Sequence, residues 1–175
     1  MTTTRTVRVV LMIMCALSVL ALTGCKEKMP PYENIVQAIE NYHVKYSDYL
    51  NSGASDIIQN NNDNAVTKDG KPCRSYYVKS PDGSYESVTL EVDQDGTMSV
   101  DEYFRLSDKA FYIVRSYIDP ETMTPSITTY YVWYGTIYRI DEEKKTMADT
   151  DEQTASSFYS SFGELVTKYG GTAAG

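Results

Sequence analysis

Turn-forming dipeptides recur at a constant interval along the middle of this 175-residue chain. Asp69-Gly70, Asp82-Gly83, Asp95-Gly96 and Asp108-Lys109 follow one another at a spacing of 13 residues. Asp-Gly supplies the positive φ angles that tight hairpin turns require, and alternating strands between regular turns are typical of a β-meander. The spacing therefore predicts a meander. Four cycles with different sequences between the turns do not indicate a solenoid.

The segments between these turns read as strands of two kinds. Strand 85–93 alternates, with Val88, Leu90 and Val92 on one face, and strand 98–104 repeats the pattern with Met98, Val100 and Phe104. The segments 110–118 and 127–134 are apolar or aromatic on both faces, and a further strand is predicted at 136–140. Strands of a one-sided sheet alternate, so the two-sided strands are either central and covered twice, or they line a binding space.

Helical periodicity flanks the strands. From Glu33 to Leu50, one helical face collects the apolar residues Ile35, Ile39, Tyr42, Tyr46 and Tyr49. At the other end, Thr150 and Gln153 form a capping-box pattern before an apolar stripe that Gly170-Gly171 ends. The Asn-rich run 60–64 offers no apolar residue to bury and is predicted to be an exposed loop. The predicted class is α+β: an N-terminal helix, a five- to six-stranded antiparallel meander and a C-terminal helix packed on the sheet.

The amino terminus carries a motif that indicates a cellular address. Arg5 and Arg8 precede an apolar segment, 9–22, that is shorter than the ~20 residues a bilayer span needs. The run Leu22-Thr23-Gly24-Cys25 follows at once. These first 25 residues resemble the signal peptide and lipobox of bacterial lipoproteins. The resemblance implies cleavage before Cys25, a lipid on its thiol and acylation of the new amino terminus.

The resemblance also implies a domain order and a location. Residues 1–24 form the signal peptide, 25–32 a lipidated tether, 33–170 one α+β domain and 171–175 a frayed tail. Lys26 follows the cysteine, where the family's retention signal is Asp. The expected location is the outer face of the plasma membrane, or the outer membrane of a cell with two membranes. Two or more acyl chains anchor a protein stably.

The excess of acidic over basic residues limits which kinds of partner the domain can attract. The chain has 24 Asp and Glu against 16 Lys and Arg, and removal of residues 1–24 takes away only Arg5 and Arg8. An acidic domain disfavours nucleic acid and keeps an exported protein soluble. Cation binding or a basic partner stays open.

Residues that could carry catalysis are few. His43 is the single histidine, so histidine-based triads and histidine-rich zinc sites are nearly excluded, and a surface or packing role is expected. Cys73 is the cysteine left once Cys15 departs and Cys25 carries lipid; it is either a buried small residue or a reactive thiol. Asp101 and Glu102 are adjacent on a strand and point to opposite faces, so they cannot work as one pair. No catalytic residue, metal or cofactor is assigned.

Tyrosine is the remaining compositional signal, with 16 Tyr against 4 Phe and 1 Trp. A tyrosine presents an apolar ring and a hydroxyl, which suits a protein, peptide or glycan partner, but the same rings can pack between sheet and helices. The leading hypothesis is a non-catalytic binding module with Tyr131 and Trp133, on one strand face, as contacts. The alternative is a carrier for a lipid-like ligand in an apolar cavity between sheet and helices. An enzyme is the third candidate.

Overall fold

The computed structural model describes residues 27–51, 58–94, 97–118 and 121–171. Helix α1 (Tyr32–Asn51) comes first, and eight strands and two short helices follow. The strands are β1 (Ile58–Val66), β2 (Pro72–Lys79), β3 (Glu86–Gln94), β4 (Thr97–Arg105), β5 (Ala110–Ile118), β6 (Pro125–Trp133), β7 (Thr136–Asp141) and β8 (Thr146–Asp149). The helices are α2 (Glu152–Ser157) and α3 (Phe162–Tyr169). One antiparallel sheet contains all these strands in chain order, so the α+β class and the meander are confirmed.

The sheet has eight strands rather than the five or six predicted, because the sequence pattern predicts neither of the edge strands, β1 and β8. The Asn-rich run predicted as a loop lies in β1, which pairs with β2 from Ile58 to Asn62 and again at Ala65 and Val66. An edge strand needs only its backbone ladder, so a polar sequence can form one. The amide of Asn60 also donates to the carbonyl of Tyr169, 2.8 Å away, and ties β1 to the last helix.

The turns fall where the 13-residue spacing predicts them. Gly70 and Gly83 have positive φ angles of 86° and 70° in the β1–β2 and β2–β3 turns. Asp82 accepts hydrogen bonds from the Ser80 hydroxyl and from the Ser84 backbone and hydroxyl, and these bonds lower the pKa of Asp82 to about 2. The Asp95-Gly96 dipeptide lies outside the described residues, between the end of β3 and the start of β4.

The sequence predicts one continuous C-terminal helix from 150 to 170, and this prediction is wrong because the helix is interrupted. Two helices occupy this region, and Asp151 rather than Thr150 caps α2 by accepting the backbone N–H of Thr154 at 2.8 Å. Between α2 and α3 the chain is extended at Phe158, and the consecutive rings of Phe158 and Tyr159 are both buried, at 0% and 5% exposure. The break allows both rings to enter the core.

The two-sided strands are central and covered on both faces. We call the face beneath α1 the α1 face; its core joins Ile35 and Tyr42 of α1 to Tyr85, just before β3, and to strand residues Phe104, Ala110, Tyr112 and Tyr131. We call the opposite face the α2–α3 face; its core joins Phe158, Phe162, Leu165 and Tyr169 to residues that include Tyr103, Phe111, Ile113, Tyr130 and Val132. The fold is therefore a three-layer arrangement with the sheet in the middle.

Aromatic rings fill both interfaces between sheet and helices. On the α1 face, the Tyr42 ring centroid lies 5.3 Å from Tyr85, 5.9 Å from Phe104 and 5.7 Å from Tyr112. On the other face, the Phe158 ring lies 4.8 Å from that of Tyr130 and 6.4 Å from that of Tyr103. Within the described ranges, no helix has both the length and the apolar composition needed to cross a bilayer.

Phe158 offers a test of this architecture. Replacing it with alanine should lower the free energy of unfolding by about 3–5 kcal/mol, because the buried ring leaves a cavity beneath the sheet. Ile127→Ala is the matched control: Ile127 is 68% exposed, and its loss should change stability by less than about 0.5 kcal/mol. Urea unfolding measures both values, and similar midpoints for the two variants would contradict the burial of Phe158.

Candidate functional site

An open cleft of about 740 Å³ lies at one end of the sheet, against the connection between α2 and α3. The strand ends and turns around β4–β5 and β6–β7 form one wall, and the start of α3 forms the other. We call it the end cleft and define it by Lys79, Arg105, Lys109, Tyr134, Ser161 and Phe162. It brings together cations, aromatic rings and hydroxyls from segments that are far apart in the sequence.

A buried carboxylate forms the base of the end cleft. Glu86 is 3% exposed, accepts a hydrogen bond from the Tyr77 hydroxyl at 2.8 Å and forms an ion pair with Arg105. Arg105 also pairs with Asp108 at the rim, and the bond to Glu86 raises the pKa of the guanidinium, which stays charged. The Lys79 ammonium lies 3.9 Å from the Glu86 carboxylate, so it is held loosely at the opening.

Glu86 also connects α1 to the end cleft. The hydroxyl of Tyr42, in α1, donates to the carbonyl of Glu86 at 3.0 Å and accepts its backbone N–H at 3.1 Å. The side chain of the same residue faces the end cleft, on the opposite side of the sheet. The position of the carboxylate is thus fixed by backbone bonds to one helix and side-chain bonds to Arg105 and Tyr77.

The outer rim of the end cleft is fastened to the segment before α1. Lys109 pairs with Glu27 at 2.6 Å, which raises the pKa of the lysine and lowers that of Glu27. The indole N–H of Trp133 donates to the carbonyl of Glu27 at 3.2 Å. Among the described residues, contacts with the sheet thus begin at Glu27, five residues before α1.

The aromatic part of the rim includes a residue in an unusual backbone conformation. Tyr134 and Gly135 form the β6–β7 turn with φ angles of 48° and 81°, both in the left-handed region. Such turns favour Asn-Gly, and a tyrosine at the first position costs on the order of 1 kcal/mol. The Lys109 ammonium lies 5.6 Å from the Tyr134 ring centroid, and the backbone N–H of Tyr134 donates to the carbonyl of Lys109. Tyr134 is therefore held beside the cationic opening.

The first turn of α3 completes the opposite wall. Ser161 caps this helix without a side-chain hydrogen bond to it, and the Arg105 guanidinium lies 6.0 Å from the Phe162 ring. Free backbone N–H groups and the positive end of the helix dipole favour an anion at such a position. Together with Lys79 and Lys109, this wall makes the end cleft suited to an anionic group carried on an apolar or planar body.

A second cleft, of about 530 Å³, is chemically different. Its Arg115 forms a bidentate pair with Asp101, with both N···O distances at 2.7 Å, and packs 4.0 Å above the Phe158 ring. Lys71 pairs with Asp69 at 3.2 Å, and the Lys68 ammonium donates to the carbonyl of Phe158. Arg105 and Lys109 of the end cleft are paired as well, but its Lys79 lies 3.9 Å from its carboxylate, and this loosely held cation favours the end cleft as the candidate site.

The tyrosine and tryptophan predicted as contacts lie on one strand face, and α1 covers that face. Tyr131 is 3% exposed, and burial raises its pKa to about 12. Trp133 is half-buried; its ring stacks on Tyr131 with centroids 6.2 Å apart, and its indole is bonded to Glu27. In this structure Tyr131 presents no ring surface to a partner. Cys25 lies outside the described residues.

The other residues singled out in the sequence have structural surroundings. Cys73 is buried, and burial raises the pKa of its thiol, in keeping with the expected buried small residue. The His43 ring packs against Phe104 and its Nε2 lies 3.3 Å from the Tyr112 hydroxyl. Asp101 faces the second cleft while Glu102 lies on the α1 face, so the two acids point apart as predicted.

The described ranges contain no grouping of metal-ligand side chains. No three His, Cys, Asp or Glu residues there lie close enough together to hold a metal ion. The end cleft itself contains neither histidine nor cysteine among its lining residues, so its hydroxyls have no imidazole or thiol beside them. Its side chains can bind and orient a ligand through charge, hydrogen bonds and ring contacts.

Arg105 is expected to support both the fold and the end cleft. Arg105→Met should cost about 2–3 kcal/mol of unfolding free energy, because it leaves the buried Glu86 carboxylate without its guanidinium. Lys109→Met, which breaks an exposed pair, should cost less than about 1 kcal/mol. Chemical denaturation of both variants measures the difference. Adding Glu86→Gln to Arg105→Met should recover part of the loss, and no recovery would argue against an uncompensated charge as the cause.

Comparison with family models, curated proteins and solved structures finds no match to this chain. The chemistry of the end cleft is therefore the guide to function.

Proposed function

We propose that this protein is a bacterial lipoprotein, held at a membrane surface by lipid on Cys25, whose domain is a non-catalytic module that binds an anionic ligand in the end cleft. The lipobox run Leu22-Thr23-Gly24-Cys25 supports the anchor. The location that goes with it is extracytoplasmic, on the plasma membrane or the outer membrane.

One observation carries the binding proposal: a predominantly acidic chain gathers Lys79, Arg105 and Lys109, with Glu86 and Asp108, around one open cleft. Lys79 and Lys109 keep ammonium N–H donors at the opening, and the half-buried Tyr134 adds ring surface. Charge-assisted hydrogen bonds to carboxylate or phosphate are the strong ones in proteins, and aromatic rings supply contact area for the body of the ligand. Acidic peptides, acidic glycans and phosphate-bearing lipids all present this combination.

The positive-φ tyrosine is the second support. Positive φ angles also occur at Met123 and Lys145, outside the end cleft, so the angle marks the turn, and it is the choice of tyrosine in it that favours a role for the ring. In this turn the backbone conformation places the ring and hydroxyl of Tyr134 beside Lys109, at the opening of the end cleft. The binding surface proposed is thus the rim of the end cleft rather than the covered face that holds Tyr131.

The anchor is tested by metabolic labelling with a fatty acid. The chain produced in a bacterium should incorporate the label and partition into detergent, and Cys25→Ser should abolish both. Cys73→Ser is the control and should keep the label, because Cys73 is buried in the domain. Label on Cys25→Ser, or none on the unaltered chain, would contradict the anchor.

Ligand binding is tested with defined anions on the lipidated protein in neutral detergent. Trp133, the one tryptophan of the chain, reports on the rim through its contact with Glu27. Titration with glycerol phosphate and with glutarate should change its fluorescence at saturable concentrations. Lys79→Ser should weaken the response about five-fold, and Lys144→Ser, a surface lysine of the β7–β8 turn, should leave it unchanged. Equal responses from both variants would contradict binding in the end cleft.

A further inference from the structure

The end cleft lies at the end of the sheet where Glu27, the first described residue, is bonded. Cys25 is two residues before Glu27, so at most ~7 Å of chain separates their Cα atoms. Glu27 is bonded to Lys109 and to Trp133, and Lys109 is part of the rim of the end cleft. Of the expected tether, 25–32, only Cys25 and Lys26 therefore precede the first described contact with the domain, which Glu27 makes.

The polar headgroup layer of one leaflet is roughly 5–7 Å thick. The ~7 Å of chain between Cys25 and Glu27 is about as long as this layer is thick. A lipid on Cys25 would therefore bring Glu27, and with it the rim of the end cleft, to the headgroup layer. Tyr134 at this rim, and Trp133 at the same end of the sheet on the α1 face, have the amphipathic rings that favour the membrane interface.

The charge distribution agrees with this orientation. The chain as a whole has more acidic than basic residues, and a bilayer with anionic lipid repels most of its surface. At the end cleft, Lys79, Arg105 and Lys109 are matched by the carboxylates of Glu86, Asp108 and Glu27. This end is therefore repelled less than the rest of the acidic domain, which favours an orientation with the end cleft against the membrane.

We propose that the ligand of the end cleft is the phosphate-bearing headgroup of a lipid in the anchoring bilayer, with Lys79 and Lys109 at the phosphate and Tyr134 at the glycerol and acyl boundary. This proposal rests on the function proposed above and names the source of its anion. Binding a headgroup beside the anchor would add a second attachment point and fix the rotation of the domain on the membrane.

The experiment uses the lipidated protein reconstituted into vesicles of phosphatidylcholine with phosphatidylglycerol. A spin label on the lipid headgroup quenches nearby tryptophan, and Trp133 is the one tryptophan in the chain. Strong quenching is expected for the unaltered protein. Lys79→Ser should reduce the quenching at least about two-fold, because the cleft loses a phosphate contact while the Glu27–Trp133 bond is untouched.

Lys144→Ser is the matched control, because it removes the same charge at the other end of the sheet. Strand β7 runs from the end cleft to the turn that holds Lys144, and its six residues span about 20 Å. Quenching should not change in this variant. Unaltered stability of both variants, measured by urea unfolding, excludes loss of the fold as the cause.

The outcomes separate this inference from the proposed function. If Lys79→Ser weakens the response to glycerol phosphate or glutarate in detergent but leaves quenching in vesicles unchanged, the end cleft binds a soluble anion and the headgroup proposal is overturned. If a soluble acidic peptide displaces the headgroup and abolishes quenching at low concentration, the ligand is a peptide and the proposal also fails. If Lys79→Ser changes neither readout, both proposals fall.

Discussion

Both faces of the central strands carry large apolar rings, and neither face is stable in contact with water. Each buried aromatic side chain removes roughly 150–250 Å² from solvent, which is worth roughly 4–6 kcal/mol at about 25 cal/mol per Å². Rings on adjacent positions, such as Tyr103 and Phe104, point in opposite directions, so one covering layer is not enough. Helix α1 covers one face, and α2 with α3 covers the other.

Coverage of both faces decides where a ligand can bind. The tyrosines that fill the two interfaces are structural, and the open surface that combines charge with rings lies at the end of the sheet. Glu86 joins these two roles, since its backbone is bonded to Tyr42 in one layer and its carboxylate to Arg105 in the end cleft. A shift of α1 relative to the sheet would therefore move the base of the end cleft through Glu86.

The sequence predicts the parts of this fold that depend on local signals. Asp-Gly turns mark the hairpins, and rings on both faces of 110–118 and 127–134 indicate strands covered twice or lining a space, of which the structure has the first. Strand β1 gives no such signal, because Asn60 to Asn62 pair through the backbone and bury no apolar side chain. The break between α2 and α3 also escapes periodicity, since Phe158 and the residues around it fit a helical stripe equally well.

The end cleft could not be predicted from the sequence, and the reason is a different one. Lys79, Arg105, Tyr134 and Ser161 come from four separate segments, and only the strand order brings them to one end. The Tyr134-Gly135 pair is the one local signal, because Gly at the second position predicts a tight turn in which tyrosine is unusual. Its neighbours in space could not be named without the register of the sheet.

The unbroken strand order has a consequence for how the chain reaches this structure. Every strand pairs with the strand before it in the chain, so the sheet contains no crossover and its contacts join segments close in sequence. Folding rates rise as contacts become more local, because less loop entropy is lost before each contact forms. A chain delivered amino terminus first could add one hairpin at a time. The closing steps are then long-range ones: Glu27 reaching Lys109, and the last helix reaching Asn60 of the first strand.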